Sequence, residues 1–506
     1  MKNFLFQRNK FLSPLFLGII LSFTLPPYNF TLLGFVVFPL LLYLFFINQN
    51  QSRKSIFFIG FLFGYGYFLS SLYWIVYSLN FDDNLTILKP LALFFIPSLL
   101  AVFYGLASIF IKKLISKNLF FIIAFSVVLS TFDFLRGIIF SGFPWNLFAY
   151  TWSWSLESLQ ILSLVGTYSL NLLTIFIFCL PYAVLHNFYY KKLLVITASI
   201  ITVLLLNFVI GQTLLNKKNL EKIPNFKVVL LQPDQSIKNL SIDNNEEKYV
   251  NNLIRASNPK AYENIKTLFV WPEGVLFDLK NSQKYKKIFN EEFSQDQQVI
   301  FGSTRYEGNK FYNSMVLLNN NAEIISNYDK IKLVPFGEFI PFYNFFEKIN
   351  FKKITFGYGS FSKGSKRNPI ALNNSEIKFL PLICYEIIFS GLIDIEKKDY
   401  DFILNISEDG WFNKSIGTIQ HFIHAKYRAI EEGKQVVRST NQGITSSIKP
   451  NGEVDKRTSF NELSVVVVDI YTNDTKTTFA NWGNKIFYLL TFITCVFLLL
   501  FRKRNE

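Results

Sequence analysis

The chain has 506 residues, of which half are hydrophobic and 58 are phenylalanine, and its mean hydropathy is positive. Only 17% of the residues are charged, well below the roughly 25% of an ordinary soluble protein. The formal net charge of +15 lies largely in short tracts beside apolar runs, as membrane topology requires, which argues against nucleic-acid binding. The composition therefore predicts a multi-spanning membrane protein with room for more than one domain.

Apolar segments long enough to cross a bilayer fill residues 1–214, and one more lies near the end of the chain. We therefore predict a seven-helix transmembrane domain (1–214), a soluble domain (215–482), and an eighth helix with a short tail (483–506). The eight predicted spans cover residues 11–27, 31–48, 56–79, 89–111, 119–139, 159–185, 193–213 and 485–501.

The basic residues between the spans predict the orientation of the chain. Lysines and arginines lie before the first span, in the loops that follow spans two, four and six, and after span eight. The opposite loops are acidic or aromatic. Because basic loops stay in the cytoplasm, seven spans place the soluble domain on the side away from the cytoplasm.

Two features of the membrane block allow two interpretations each. Asp133 and Arg136 lie one helical turn apart near the outer end of the fifth span. They are interpreted either as an interfacial ion pair or as a pair with a function. Residues 141–154, SGFPWNLFAYTWSW, form an interfacial aromatic belt or line a lateral path for lipid. The residues themselves do not decide between these interpretations.

The soluble part alternates short β-rich apolar runs with more polar helical stretches, which predicts an α/β layer architecture. Helices are expected over residues 243–256, 282–293 and 417–434. Buried strands are expected over residues 227–232, 267–271, 298–302, 314–319, 377–383, 401–407 and 464–470.

Reactive side chains stand at the ends of these runs, where ligands of α/β sheets bind. Glu273 follows the run 267–271, and Cys384 follows the run 377–383. Lys330 lies between them, in the segment YDKIKLVPFGEFIP. A desolvated carboxylate can deprotonate a thiol, and a cation can stabilise an oxyanion. The three side chains therefore predict acyl chemistry through a thioester.

Each of these residues has a commoner explanation when it is taken alone: a solvated loop carboxylate, a surface lysine, or a cysteine packed in a core. Their combination at segment ends favours catalysis. The backbone N–H of Tyr385 is expected where a second oxyanion donor is needed. Cys179 and Cys495 lie inside apolar segments and are predicted to be inert, so the soluble domain has no disulfide.

Signals for a cofactor are weak. His421 and His424 stand three residues apart, but no third ligand is near and the form H-E-x-x-H is absent. No Gly-rich phosphate loop is present. We therefore predict no metal and no nucleotide cofactor.

Seven segments of the chain stand out: SGFPWN, VWPEG, YDKIKLVPFGEFIP, ICYE, NISEDGWF, QHFIHAKYRAIEEGK and RSTNQGITSSIKPNGEV. Together they resemble the carbon–nitrogen hydrolase, or nitrilase, superfamily. The membrane block narrows this to the bacterial apolipoprotein N-acyltransferase family. The resemblance covers essentially the whole chain and implies a nitrilase-like αββα sandwich for residues 215–482.

The resemblance implies a transfer in two steps, with both substrates reached from the periplasmic side of the bacterial inner membrane. Cys384 attacks the sn-1 ester of a phospholipid, and the thioester then acylates the α-amine of an S-diacylglyceryl-cysteine apolipoprotein. Glu273 resembles the general base, and Lys330 resembles the cation that stabilises the oxyanion. Four further residues are expected to support the site or the substrate: Glu338, Tyr385, Glu386 and Trp411.

One departure concerns the segment QPDQSIKNL, where the family often has a tryptophan and this chain has Asn239. That change removes the basis for a tryptophan contact with the substrate there. Two other functions stay open. The first is a membrane-anchored amidase or nitrilase acting on a small C–N substrate, for which a single anchor would suffice. The second is a transporter or scaffold with a decayed domain, which would not need all three reactive residue types.

Overall fold

The computed structural model describes residues 11–81, 83–116, 119–185, 190–216, 220–234, 246–276, 283–341, 360–373, 375–391, 399–460, 462–472 and 476–502. The chain divides into two compact units. The helical unit comprises Met1–Val76, Leu88–Lys217 and Thr477–Glu506, and the sheet unit comprises Tyr77–Ile87 and Lys218–Lys476. Asn239 lies outside the described residues, so the predicted departure from the family is neither supported nor contradicted.

The amino-terminal part of the helical unit consists of apolar helices joined by short loops. They are α1 (Leu12–Ser22), α2 (Gly34–Ile47), α3 (Arg53–Ser71), α4 (Lys89–Ile111), α5 (Leu119–Ile138), α6 (Leu156–Leu159), α7 (Leu162–Cys179), α8 (Tyr182–Leu185) and α9 (Tyr190–Asn216). The Ser52 hydroxyl caps α3 by accepting a hydrogen bond from the N–H of Ser55, and α4 carries proline in its first turn.

Apolar helices occupy the positions of all eight predicted spans, but not all are long enough to cross a membrane. Among the described residues, four are long and apolar enough on their own: Leu85–Leu114, Leu119–Ile138, Leu162–Leu185 and Leu193–Asn216. A fifth span results if Arg53–Ser71 and Tyr73–Asn80, which are bent by 48°, are one span. The remaining positions hold the shorter helices Leu12–Ser22, Thr31–Ile47 and Lys485–Leu500. The helices fit a membrane protein, and eight complete spans stay a prediction.

The sheet unit contains two six-stranded sheets and a two-stranded sheet. The large sheets have the strand orders β13-β2-β3-β4-β5-β6 and β12-β11-β10-β9-β8-β7, and β1 pairs with β14. The strands are β1 (Glu221–Lys222), β2 (Phe226–Gln232), β3 (Lys266–Val270), β4 (Gln297–Glu307), β5 (Lys310–Leu318), β6 (Ile324–Asp329), β7 (Ile370–Ala371), β8 (Lys378–Ile383), β9 (Phe402–Glu408), β10 (Gln435–Asn441), β11 (Ser446–Ile448), β12 (Val454–Arg457), β13 (Ser464–Val468) and β14 (Tyr471–Thr472).

The two large sheets face each other, and helices cover their outer faces. Helices α10 (Glu246–Ser257) and α11 (Lys286–Glu292) bury apolar side chains against one sheet, and α12 (Ile416–Glu432) covers the other. Between the sheets, the Ser439 hydroxyl in β10 donates to the Leu231 carbonyl in β2 at 2.7 Å. These four layers confirm the predicted αββα sandwich.

The direction of the strands explains where the reactive residues gather. Strands β2, β3 and β4 run parallel, and so do β8, β9 and β10. Carboxyl ends of parallel strands meet at one edge of a sheet, where binding sites form. Glu273 follows β3, Cys384 follows β8, and Glu408 ends β9.

All seven predicted strands are present, together with strands that the sequence reading missed. Strand β10 is the most informative omission, because its sequence QVVRSTN is buried at every position although five of its residues are polar. A search for apolar runs does not find such a strand, since its polar side chains are satisfied by partners inside the domain. The three predicted helices correspond to α10, α11 and α12.

Helices α13 (Thr478–Trp482) and α14 (Lys485–Arg502) complete the helical unit. Phe479 in α13 packs where α7 is interrupted at Gly166, which has a φ of +75°. A Cβ at Gly166 would lie 2.0 Å from the Phe479 ring, so only glycine fits both the backbone and the contact.

The Asp133–Arg136 pair is fully buried within the helical unit, with side chains 0% and 1% exposed and 3.0 Å apart. Arg136 also donates to the carbonyls of Phe143 and Asn146, at 2.5 and 3.1 Å. The pair therefore holds the start of the aromatic stretch 141–154.

Candidate active site

The structure brings the three predicted reactive residues together in the sheet unit. Lys330 Nζ lies 3.2 Å from Glu273 Oε1, and the exposed fractions of Glu273, Lys330 and Cys384 are 9%, 1% and 6%. Both charged groups act electrostatically on the Cys384 thiol. Residues more than a hundred positions apart thus share one buried site.

Three donors orient the Glu273 carboxylate. Its Oε1 accepts from Asn313 Nδ2 at 2.7 Å and from Lys330, and its Oε2 accepts from the backbone N–H of Glu408 at 2.9 Å. Gly302 backs this segment, because a Cβ there would lie 2.6 Å from the Glu273 Cα. The carboxylate is therefore held by its partners and by close backbone packing.

Lys330 lies between two carboxylates. Its Nζ is 2.9 Å from Glu338 Oε1, and Asn313 Nδ2 donates at 2.7 Å to that oxygen as well as to Glu273. Burial alone would lower the pKa of Lys330, but Glu273 and Glu338 outweigh burial and hold that pKa well above its ordinary value. Lys330 is therefore a charged ammonium inside the site.

Cys384 begins the turn Cys384–Ile388 with a φ of +47°. This left-handed backbone is uncommon for a residue with a side chain and marks a constrained position. Burial raises the pKa of the Cys384 thiol far above its usual range, and the Glu273 charge adds to this, while Lys330 lowers it. The resting thiol is therefore neutral, and its attack on a carbonyl needs a base.

Glu386 joins the Lys330 segment to the strand that precedes Cys384. Burial would raise the pKa of this carboxyl, but Arg367 and backbone donors outweigh burial and lower it. Its partners place it as an anchor rather than beside the thiol. The donors to Glu386 are the Tyr328 hydroxyl at 2.7 Å, the N–H groups of Ile331 at 2.9 Å, Lys332 at 3.1 Å and Ile383 at 2.9 Å, and Arg367 at 2.7 Å.

The other predicted support residues differ in their relation to the thiol. Glu338 shares Lys330 and Asn313 with Glu273, as described above. Tyr385 is buried and meets the Phe389 ring edge-on, with centroids 5.1 Å apart. Trp411 is half-buried in the turn Asp409–Phe412 after β9. The roles of Tyr385 and Trp411 toward the substrate stay predictions.

The sequence reading missed several polar residues that build this site. Asn313, in the middle of β5, bridges the two carboxylates that hold Lys330. Arg438, in β10, pairs with Asp409. A search for apolar runs finds neither residue, because both strands mix polar and apolar side chains. His421, considered above for a metal pair, lies 3.0 Å from Asp409, and no group of three or more metal-ligating side chains occurs in the described part of the chain.

Comparison with known proteins agrees with both halves of the chain. Residues 17–180 match the family model described as the apolipoprotein N-acyltransferase N-terminal domain, and residues 282–478 match the carbon–nitrogen hydrolase model. An apolipoprotein N-acyltransferase from Rhodopseudomonas palustris is 31% identical over 86% of this chain and 85% of its own. The chain belongs to the apolipoprotein N-acyltransferase family.

Other members of the family align over a still larger share of the chain. The apolipoprotein N-acyltransferase from Rickettsia prowazekii is 31% identical over 93% of this chain and 94% of its own. That from Brucella melitensis is 28% identical over 96% of this chain and 95% of its own. The similarity to this family therefore extends across the helical and the sheet regions.

Among solved structures, a mutant of the amidase from Nesterenkonia sp. AN1 covers 49% of this chain and 92% of its own. The sequence identity is 13% and the TM-score is 0.36. A likeness at that level carries no argument about activity, so the amidase alternative gains no support from it.

Proposed function

We propose that this chain is an apolipoprotein N-acyltransferase that moves an acyl chain from a phospholipid to a lipoprotein amine through a thioester on Cys384. Curated relatives of nearly equal length carry the acyltransferase name. The observation that supports the mechanism is the buried contact of Glu273 with Lys330 beside a neutral thiol. Neither an amidase with a single anchor nor a decayed scaffold accounts for the similarity over the helical region.

In the first half-reaction, Glu273 takes the Cys384 proton as the sulfur attacks the sn-1 ester carbonyl of the phospholipid. The ammonium of Lys330 and the backbone N–H of Tyr385 stabilise the oxyanion. When the intermediate collapses, the ester C–O bond breaks and Glu273 returns the proton to the departing lysophospholipid oxygen. The raised pKa of the thiol supports this order, because a preformed thiolate would need no base.

In the second half-reaction, the amine of an S-diacylglyceryl-cysteine apolipoprotein attacks the thioester carbonyl, and the C–S bond breaks. Glu273 accepts a proton from the attacking amine and returns it to the Cys384 sulfur, so the enzyme regains its starting state. Glu338 and Asn313 keep Lys330 in place through both steps, and Glu386 holds the two segments that carry Lys330 and Cys384. Tyr385 and Trp411 line the substrate side.

The proposed location follows from the helices and the basic loops. Helix α9 is strongly apolar, yet its most apolar stretch is not buried within the protein. Such a surface requires a lipid environment. We assign eight spans within residues 1–214 and 483–506, and the catalytic domain 215–482 to the periplasmic face of the inner membrane. Reporter fusions at residues 50 and 230 test this topology, because the first reporter should lie in the cytoplasm and the second in the periplasm. Two reporters on the same side of the membrane would contradict the assignment.

The function is tested with purified full-length protein and phosphatidylethanolamine labelled in its sn-1 acyl chain. We expect a protein-bound acyl group that hydroxylamine removes, and its release as an amide when a diacylglyceryl lipopeptide is added. Cys384→Ala should abolish the adduct, whereas Cys495→Ala should keep it. If the wild-type protein forms no acyl adduct and instead hydrolyses simple amides, the amidase function replaces this proposal.

A further inference from the structure

The Glu408 side chain takes no part in the mechanism above, although its backbone N–H is one of the three donors to Glu273. The side chain ends β9 and is 1% exposed, so it needs hydrogen-bond partners inside the domain. Those partners lie in the turn after β9 and at the end of β10, while the N–H reaches the segment after β3. One buried residue therefore connects the general base to two further elements of the sheet unit.

The two oxygens of the Glu273 carboxylate differ in how many donors they accept. Oε1 accepts from Asn313 Nδ2 at 2.7 Å and from Lys330 Nζ at 3.2 Å. Within the part of the chain that the structure describes, Oε2 accepts only from the Glu408 N–H, at 2.9 Å. A carboxylate offers about two lone pairs on each oxygen, so both of those on Oε1 are used and one on Oε2 remains. Oε2 is therefore the oxygen with room for the Cys384 proton.

A proton on Oε2 also leaves the charged partners of the site in place. A proton on Oε1 would displace one of its two donors, and a displaced Lys330 would be a buried ammonium with one carboxylate partner fewer. With the proton on Oε2, Oε1 becomes a carbonyl oxygen that still accepts from both donors. In this step the S–H bond of Cys384 breaks, an O–H bond forms at Oε2, and the sulfur electron pair attacks the ester carbonyl.

The Glu408 side chain fixes the backbone that carries the N–H. Glu408 begins the turn Asp409–Phe412 with a φ of −102° and a ψ of 98°. Its Oε1 accepts from the N–H of Gly410 at 2.8 Å, and its Oε2 accepts from Asn441 Nδ2 at 2.7 Å. Asn441 is also its register partner in the parallel pair of β9 and β10. Because the carboxyl group is held from two sides, the residue keeps one conformation, with its N–H on Glu273 Oε2.

We propose that Glu408 is a positioning residue for the general base, because its side chain fixes the N–H that holds Glu273 Oε2 in place to receive the Cys384 proton. The inference rests on the proposed thioester chemistry. It adds to that chemistry a side chain whose contacts are with Gly410 and Asn441 and not with the reacting atoms. A base that is slightly displaced loses rate even when its charge and its residue type remain.

The first test removes the N–H and nothing else. Replacing Glu408 by its α-hydroxy acid through nonsense suppression turns the Ser407–Glu408 peptide bond into an ester, which keeps every side chain and lacks the donor. The readout is single-turnover acylation of full-length protein on Cys384 by phosphatidylethanolamine labelled in its sn-1 chain, with rate constant and amplitude measured separately. We expect the rate constant to fall roughly ten- to a hundredfold, with the half-saturating lipid concentration unchanged, since a donor to a charged oxygen is lost.

The second test keeps the N–H and changes the side chain that fixes it. Glu408→Ala should lower the rate constant about tenfold and raise its solvent deuterium isotope effect, because proton transfer to a displaced base becomes the slower step. Glu408→Gln should restore most of the rate constant. Its carbonyl can accept from Gly410, and its amide can donate to the Asn441 carbonyl once that side-chain amide turns over.

A merely structural role predicts a different pattern, in which the variants lose amplitude while the remaining enzyme keeps the wild-type rate constant and isotope effect. That pattern, or an ester form with the wild-type rate constant, would overturn the positioning role. If Glu408→Ala does not fold, Asn441→Leu takes its place, because it removes one of the same contacts and keeps Glu408. Tyr400→Phe is the matched control, since it removes a buried 3.3 Å hydrogen bond to Glu432 just before β9 begins, and it should keep the wild-type rate constant.

The same assay separates this inference from the proposed function. If the wild-type protein forms no acyl adduct on Cys384, the thioester function fails and the positioning role fails with it. If the wild-type protein forms the adduct and the ester form acylates at the same rate, only the positioning role fails.

Discussion

Both units of the molecule bury charged side chains, and the groups around Asp133 and around Lys330 differ in charge balance. In the helical unit, Asp133 and Arg136 pair one to one, and Tyr104 and Asn171 donate to the remaining positions of the carboxylate at 3.1 and 3.0 Å. In the sheet unit, Lys330 alone faces two carboxylates. Burial and pairing occur in both, so neither property by itself identifies a catalytic site.

In the sheet unit, one lysine faces two carboxylates, and this imbalance of charge has a chemical consequence. Two carboxylates and one ammonium carry a formal charge of −1, which a proton received from Cys384 would neutralise. A general base needs this property, because taking a proton from Cys384 then leaves no unpaired buried cation. A proton added to the Asp133 pair would instead leave Arg136 unpaired. The comparison predicts catalysis in one unit and a structural role in the other.

The largest effect on rate is expected for Lys330→Met. Without the ammonium, Glu273 and Glu338 face each other across Asn313, and the oxyanion loses its cation. We expect acylation of Cys384 to slow by about a hundred- to a thousandfold or more. Single-turnover labelling with phospholipid measures this, with Lys332→Met as the control on the same segment. A rate within a few-fold of wild type would show that Lys330 is not the oxyanion partner.

Glu273→Gln should separate ionisation of the thiol from catalysis. The Glu273 charge is one cause of the raised thiol pKa, so its loss lowers that pKa, and iodoacetamide alkylation should begin at a lower pH than in wild type. Acyl transfer should nevertheless fall by about a hundredfold, because the base is missing. Lys330→Met should shift alkylation the opposite way. If Glu273→Gln slowed both the alkylation of Cys384 and acyl transfer, the assignment of Glu273 as the general base would be contradicted.

Glu386→Gln tests the anchor between the Lys330 and Cys384 segments. It leaves the buried Arg367 without its charge partner, which costs about 3–5 kcal/mol of unfolding free energy. Because the folded pKa of Glu386 is lowered, its contribution is present above the unfolded pKa and is lost as the pH falls through the folded value. Denaturation measured between pH 7 and pH 3 should therefore show a smaller loss of unfolding free energy in the variant than in wild type. If both proteins lost the same unfolding free energy over this pH range, Glu386 would not be the anchor.

Gly302→Ala should have a smaller effect through geometry alone. The added Cβ would lie 2.6 Å from the Glu273 Cα, so the segment that carries the base must shift. We expect acylation to slow roughly tenfold without a change in the alkylation profile of Cys384. Gly308→Asn is the control, because Gly308 has open space around it and asparagine tolerates its positive φ of +57°.

The smallest effect on rate is expected for Asp133→Asn in the helical unit. Arg136 would lose its charge partner, so thermal stability should fall, by about 3–5 kcal/mol if the pair behaves as other buried pairs do. The acylation rate constant of the protein that remains folded should not change. A large loss of that rate constant at full stability would place the pair in the catalytic machinery and end the contrast between the units.

The residues at the strand ends show how much of the candidate site can be predicted from the sequence. Glu273, Lys330 and Cys384 could be singled out because each reactive type follows an apolar run or lies in a turn, and chemistry requires the three together. Asn313 and Arg438 could not, because each lies inside a strand whose pattern suggests only burial. Asp409 and His421 were visible in the sequence, but nothing in their spacing shows that both meet Arg438 in the folded domain.

The residues by themselves determined which segments are apolar, which strands form, and which side chains could carry acyl chemistry. These depend on local pattern and on residue type, which are properties of neighbouring positions. The tertiary structure alone decided that Lys330 meets two carboxylates, that Glu386 is an anchor, and that the Asp133 pair is buried. Such outcomes depend on contacts between segments distant in the chain, where packing sets distance, exposure and partner count.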